Sequence, residues 1–170
     1  MSQTSVTTLP SESLLGMIYD SEESDIIYRQ ANAAVYLGLL CQFDASNMAG
    51  AGEPGMVKEI TDSATSVPNW AGIPVWIAGK EPYPVANSKS QIADKGQVSL
   101  MRKGRIWVYV ETAVDVTSDP WFRVLASGSD VKGQFRAGTA ANFVQASASG
   151  LNAKFITKTS GAGLAVLEIR

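Results

Sequence analysis

Histidine is absent from this 170-residue chain. That removes the commonest general base at neutral pH, the commonest metal ligand, and every nucleophile arrangement that leans on an imidazole. Cysteine is nearly absent too. Cys41 stands alone, so no intrachain disulfide is possible, and one thiol without histidine cannot build the usual zinc sites. Cys41 lies in the apolar run VYLGLLCQF, where a lone cysteine reads as a small buried hydrophobe. Charge is scarce: Asp, Glu, Lys and Arg make up 18% of the chain, against about 25% in ordinary soluble domains. A surface that poor in charge suits partial cover by a partner. No apolar stretch approaches the ~20 residues of a membrane-spanning helix, so no membrane association is expected. The opening residues, MSQTSVTTLPSES, have neither the basic start nor the apolar run of a secretory signal. Synthesis in a reducing cytoplasm is the expectation. Phosphate-loop, nucleophile-elbow and dinucleotide fingerprints are missing as well.

The charge that is present is unevenly spread. Residues 1–60 hold two basic and eight acidic side chains, and residues 61–170 hold twelve and eight. A net charge of −2 gives no ground for nucleic-acid binding. The asymmetry can orient neighbouring copies head to tail, acting on encounter and register more than on affinity. Asp20, Glu22, Glu23 and Asp25 in YDSEESD read as an exposed acidic turn, because a calcium loop needs wider ligand spacing and a glycine at its sharp bend. Asp115 and Asp119 in VDVTSDP read as turn formers. No catalytic residue, metal or cofactor is therefore expected. An enzyme working through paired carboxylates would need two of them roughly 5–9.5 Å apart in a cleft.

Residues 1–13 form a polar arm, and residues 14–170 are long enough for a single domain that buries roughly 70% of its unfolded surface. Strand signals recur at short intervals. Segment 25–43 reads as two strands with a kink at Gly38, and VKEI (57–60) as a short strand. WAGIPVWIAG (70–79) is broken by Gly72 and Pro74, which suits an edge strand or a bulge. DPWFRVLA, QFRAG, NFVQASA, KFITKTS and GLAVLEIR continue the series, separated by Gly/Ser turns. Segments 44–56, 61–69 and 80–96 read as loops. The fold class expected is mainly β, a small antiparallel β-barrel or sandwich with an extended N-terminal arm and long loops.

One stretch stands out. QVSLMRKGRIWVYVE (97–111) is apolar on both faces and basic at its middle. With Lys103-Gly104 as a two-residue turn needing positive φ at glycine, it makes a β-hairpin. Val98, Leu100, Trp107 and Tyr109 then share one face, and Met101, Ile106, Val108 and Val110 the other. Both faces would need cover, one by the domain's core and the other by a second sheet or another subunit. Arg102, Lys103 and Arg105 at the tip, with Trp70, Trp76 and Trp121, are the candidate interface residues. An exposed row of these tryptophans with Tyr83 would instead suit sugar stacking.

Five stretches in consistent order resemble the bacteriophage capsid cement (decoration) proteins: Gly16–Asp20 (GMIYD), Lys103–Glu111 (KGRIWVYVE), Ser118–Val124 (SDPWFRV), Gly133–Ala137 (GQFRA) and Gly161–Glu168 (GAGLAVLE). Ser118 stands where the family pattern has glycine, and the 44–96 region is longer and richer in loops. The resemblance implies a β-rich virion protein on the outer capsid surface, bound to the major capsid protein as a homo-oligomer, a trimer favoured over a dimer. It carries over no catalytic residue. A virion-surface glycan-binding module, or another phage structural role in head completion or the tail, are the alternatives.

Overall fold

The computed structural model describes residues 15–44, 55–61, 69–76, 83–84 and 90–170. The polar arm expected at 1–13, most of the 44–56 and 61–69 loops, and much of 80–96 lie outside them. The strands are β1 (Ile18–Gln30), β2 (Val35–Tyr36), β3 (Cys41–Phe43), β4 (Val57–Glu59), β5 (Trp70–Pro74), β6 (Tyr83–Pro84) and β7 (Ser90–Ile92). They continue with β8 (Gln97–Val110), β9 (Pro120–Arg123), β10 (Phe135–Ala137), β11 (Phe143–Gln145), β12 (Ala153–Phe155) and β13 (Gly163–Ile169). Ten join one sheet, and β2, β7 and β6 form a small second one.

The fold is mainly β, as expected, but the large sheet does not close into a barrel. It is also mixed, since β10 runs parallel to β8 through Phe135 and Val110. The cause lies in β8, which changes partners along its length. On one side it pairs with β1, and on the other first with β5 and then with β13. A strand with two successive neighbours on one side splits a sheet into branches and leaves no single ring of strands to close. One expectation fails locally: the acidic group 20–25 lies within strand β1 and is not a turn. Of the two readings for 70–79, the bulge holds and the edge strand does not. β5 is an interior strand between β8 and β3, and Cys41 pairs with Gly72 but Gln42 with Trp70, so Ala71 is an extra residue on β5. The strand tolerates Pro74 because that residue is its last.

The hairpin expected at 97–111 is a single strand of 14 residues. Its glycine does take positive φ, +125° at Gly104, but it serves a β-bulge. Opposite β1, Asp25 pairs with Lys103 and Ile26 with Met101, so Arg102 is an extra residue on β8. Asp20 pairs with Arg105, so residues 21–24 of β1 oppose Gly104 alone. An unpaired residue reverses the in–out alternation of everything beyond it. Met101 therefore shares a core with Ile106, Val108 and Val110, although Ile106 lies an odd number of positions, five, beyond Met101. The grouping expected of a hairpin is met by a bulge. A Cβ on Gly104 would sit 3.3 Å from both Met101 Sδ and Ser24 Cα, so the position has neither the conformation nor the room for a side chain.

Two apolar clusters result. The larger holds Phe122, Phe135, Phe155, Leu167 and Ile169 with the residues just named. The smaller gathers Ala31, Val35, Cys41, Val57 and Ala71 around Val98 and Leu100. The second cover over the N-terminal half of β8 is thus this chain's own, without a second subunit. Cys41 is buried as expected, and burial pushes its thiol well above the ordinary range.

Candidate functional site

The basic triplet sits at the bulge in the middle of β8, where the backbone leaves its regular course. Arg102 and Lys103 are exposed there. The Arg102 guanidinium lies over the Trp70 ring, 5.3 Å from its centroid, at the distance of a cation–π contact. Trp70 is half-buried and packs partly against the larger core. Arg105 behaves differently. Its side chain turns along the sheet, with Nη1 2.7 Å from Asp20 Oδ2 and Nε 2.9 Å from Glu168 Oε1. These bonds raise its pKa further above its ordinary value, those from Asp20 and Glu168 outweighing desolvation.

Glu168 also takes Lys154 Nζ at 3.2 Å and Arg170 Nε at 2.7 Å. Burial opposes its ionisation, yet the hydrogen bonds from Arg170, Arg105 and Lys154 prevail and hold it down to about 2. Asp20, Arg105, Glu168 and Lys154 are successive register partners across β1, β8, β13 and β12. They form one row of alternating charge across four strands.

A second charged centre lies at the far end of β8. Arg123 forks onto Glu111, with Nε 2.6 Å from Oε1 and Nη2 2.7 Å from Oε2, and both side chains are under a tenth exposed. Asp130 Oδ2 adds a contact at 3.3 Å. The Arg123 and Arg136 guanidiniums lie 4.6 and 4.9 Å from the Phe143 ring centroid. The bond from Glu111 raises the Arg123 pKa against desolvation. The backbone knits the same residues: Glu111 N–H donates to Phe135 O at 2.9 Å and Gly133 N–H to Arg123 O at 2.8 Å. Gly133, at φ +82°, brings its backbone so close to Leu40 that a Cβ would strike the Leu40 carbonyl oxygen. Of the residues in the two centres, the sequence singles out Arg105 at the basic tip and Asp20 in the acidic group. Glu111, Arg123, Gly133, Arg136 and Glu168 are marked only by lying in the five stretches, and Asp130, Phe143, Lys154 and Arg170 lie outside them.

The remaining candidates are scattered. Trp76 follows β5, half-buried, its N–H donating to Gly16 O at 2.8 Å. Trp121 is half-buried on β9. Tyr83 begins β6, and its side chain lies outside what is described. The described tryptophans are half-buried and make no exposed row. Among the described residues, the exposed large apolar side chains are Tyr19, Tyr28, Val116 and Leu125. Among the described residues no three His, Cys, Asp or Glu side chains gather to hold a metal. Asp115 Oδ1 accepts from the Thr117 N–H in a local turn, whereas Asp119 Oδ2 accepts from Gln145 Nε2 at 3.4 Å, a long-range contact.

A protein-family model described as structural cement protein (E217 gp24/Pam3 gp6) matches residues 2–170. The chain belongs to that family. This cement protein is accordingly a structural component of the phage virion, associated with capsid proteins. A chain in the structure of the capsid of Myoviridae phage XM1 has the same fold, with a TM-score of 0.66 and 17% identity over 98% of this chain and 93% of that one. No curated protein matches.

Proposed function

We propose that the protein clamps neighbouring major capsid proteins from the outer surface of the capsid, working as a homo-oligomer, a trimer favoured over a dimer, and catalysing nothing. The observation that supports this reading is the bulge of β8. It fixes Arg102 and Lys103 at the surface beside Trp70, on the strand that links both cores, so load taken at that point passes into the whole sheet. Trp76 and Trp121 complete the contact set, and Arg105 holds the strand that presents it. The polar segment 1–13 serves as a strap across a neighbouring capsid protein, its ordering cost offset only in the assembly.

A partner that binds only the assembled lattice stabilises it by mass action, and many simultaneous contacts raise the avidity. The test is thermal rupture of particles with and without the protein. Undecorated particles are expected to release their genome at a lower temperature, and Arg102→Glu with Lys103→Glu to weaken binding to them. Equal rupture temperatures would remove the clamping role.

A further inference from the structure

Three side chains from distant parts of the chain meet beside the smaller core. Asn32 follows β1, Asp44 follows β3, and Lys95 lies between β7 and β8. Asn32 Nδ2 donates to Asp44 Oδ2, and Lys95 Nζ donates to Asn32 Oδ1, both at 2.5 Å. A carbonyl bond is about 1.23 Å long, so Asn32 Cγ lies within about 3.7 Å of Lys95 Nζ. An amine thus faces an amide carbon, and a carboxylate sits on that amide's nitrogen. Asp44 is 2% exposed. Lys58 Nζ, 2.8 Å from Asp44 Oδ1, fixes which oxygen turns to Asn32. The contacts of Lys95 Nζ with Asp94 Oδ1 at 3.7 Å and Met56 Sδ at 3.9 Å are longer.

The backbone holds all three residues in place. Lys95 N–H donates to Ala31 O and Ala31 N–H to Gly96 O, each at 2.9 Å, a reciprocal pair that keeps Lys95 beside Asn32. Asn32 N–H donates to Val57 O at 2.7 Å, and Asp44 N–H to Met56 O at 2.8 Å. Ala31 and Val57, next to these positions, are fully buried. Lys95 takes φ +62°, a conformation uncommon for a residue with a side chain. Groups held in reach of each other in this way react as if highly concentrated.

We infer that Lys95 and Asn32 join through an isopeptide bond, which the folded chain forms on itself. The Lys95 ammonium, on a side chain 55% exposed, first gives one proton to water. Its amine then attacks Asn32 Cγ. The Nζ–Cγ bond forms, and the carbonyl electron pair moves onto Oδ1. In that adduct Nζ and Nδ2 share one carbon, so the Asp44 carboxylate beside Nδ2 takes the proton from Nζ and delivers it to Nδ2. The Cγ–Nδ2 bond breaks, the carbonyl reforms and ammonia leaves. Nothing is oxidised or reduced, and Asp44 ends as it began. The reaction runs once per chain, without turnover, and is independent of the clamping reading. It closes residues 32–95 into a covalent loop that restricts the unfolded chain as a disulfide does, in a chain whose single cysteine cannot make one.

Intact-mass spectrometry of the full natural chain is the test. The folded protein is expected to weigh about 17 Da less than its sequence, the mass of one ammonia. A digest is expected to yield one branched peptide that joins the segments carrying Asn32 and Lys95. Lys95→Arg keeps the charge at an exposed position and is expected to show the mass of its full sequence. Asp44→Asn, which cannot carry the proton, is expected to slow the loss at least about a hundredfold. A natural chain that keeps its full mass after days in solution overturns the proposal. So does an ammonia loss that persists in Lys95→Arg, or one that maps to Asn32 without Lys95. Loss at the natural rate in Asp44→Asn overturns the route assigned to the proton.

Discussion

Arg123 and Arg105 make the same kind of bond in different surroundings. Arg123 meets Glu111 through two parallel contacts with both side chains under a tenth exposed. Arg105, on a side chain 39% exposed, divides its guanidinium between Asp20 and Glu168. Water weakens the second set of attractions far more than the first. The buried fork ties the end of β8 to β9, where removing one partner leaves the other charged and enclosed. The solvated row chiefly aligns strands, because cross-strand charge pairs reward one register over its neighbours. Similar chemistry thus holds a junction in one place and sets an alignment in the other.

The contrast can be broken at its strongest point first. Glu111→Ala is expected to cost about 3–5 kcal/mol in urea unfolding, the range for an orphaned buried charge. A loss under ~1 kcal/mol would put Arg123 in the same class as a surface pair. Gly104→Val tests the geometry that separates the two centres. A β-branched residue at φ +125° is expected to cost about 1–3 kcal/mol, read as a lowered melting temperature. Phe143→Leu keeps an apolar side chain but removes the ring under both guanidiniums. About 1 kcal/mol is expected to be lost, and the loss should vanish in an Arg136→Met background if only Arg136 uses the ring.

The solvated row responds to conditions more than to single substitutions. Glu168 is held down to about 2 when folded, against ~4.3 in an unfolded chain. A depressed carboxylate contributes stability that is fully present above the unfolded value and is lost as pH falls toward the folded one. Unfolding midpoints should therefore decline from about pH 4.3 down to 2, and Glu168→Gln should flatten that part of the curve. Arg105→Gln is expected to have the smallest effect, one that shrinks further in ~1 M salt, where exposed charges are screened within ~3 Å.

The same two regions mark what the sequence made legible. Strand positions after residue 119 follow from alternation and Gly/Ser turns, and β9 to β13 fall where those signals put them. The burial of Cys41 follows from its apolar neighbours. The course of β8 does not follow, because a glycine between charged residues and apolar runs marks a tight turn and a bulge alike. Only the length of β1 lying alongside decides for the bulge, and β1 sits some seventy residues earlier in the chain. The pairing of Glu111 with Arg123 was hidden for a related reason. A cross-strand contact leaves no spacing rule within either strand.

The long central strand also has a mechanical consequence. β8 is bonded to β1 for most of its length and to β5 and β13 in succession on the opposite side. Tension applied along its axis strains many of those bonds at once, and they must slide together before any yields. Tension across the sheet would peel them apart singly, starting from a rim. A shell swelling under pressure therefore meets most resistance from molecules lying with β8 along the direction of stretch.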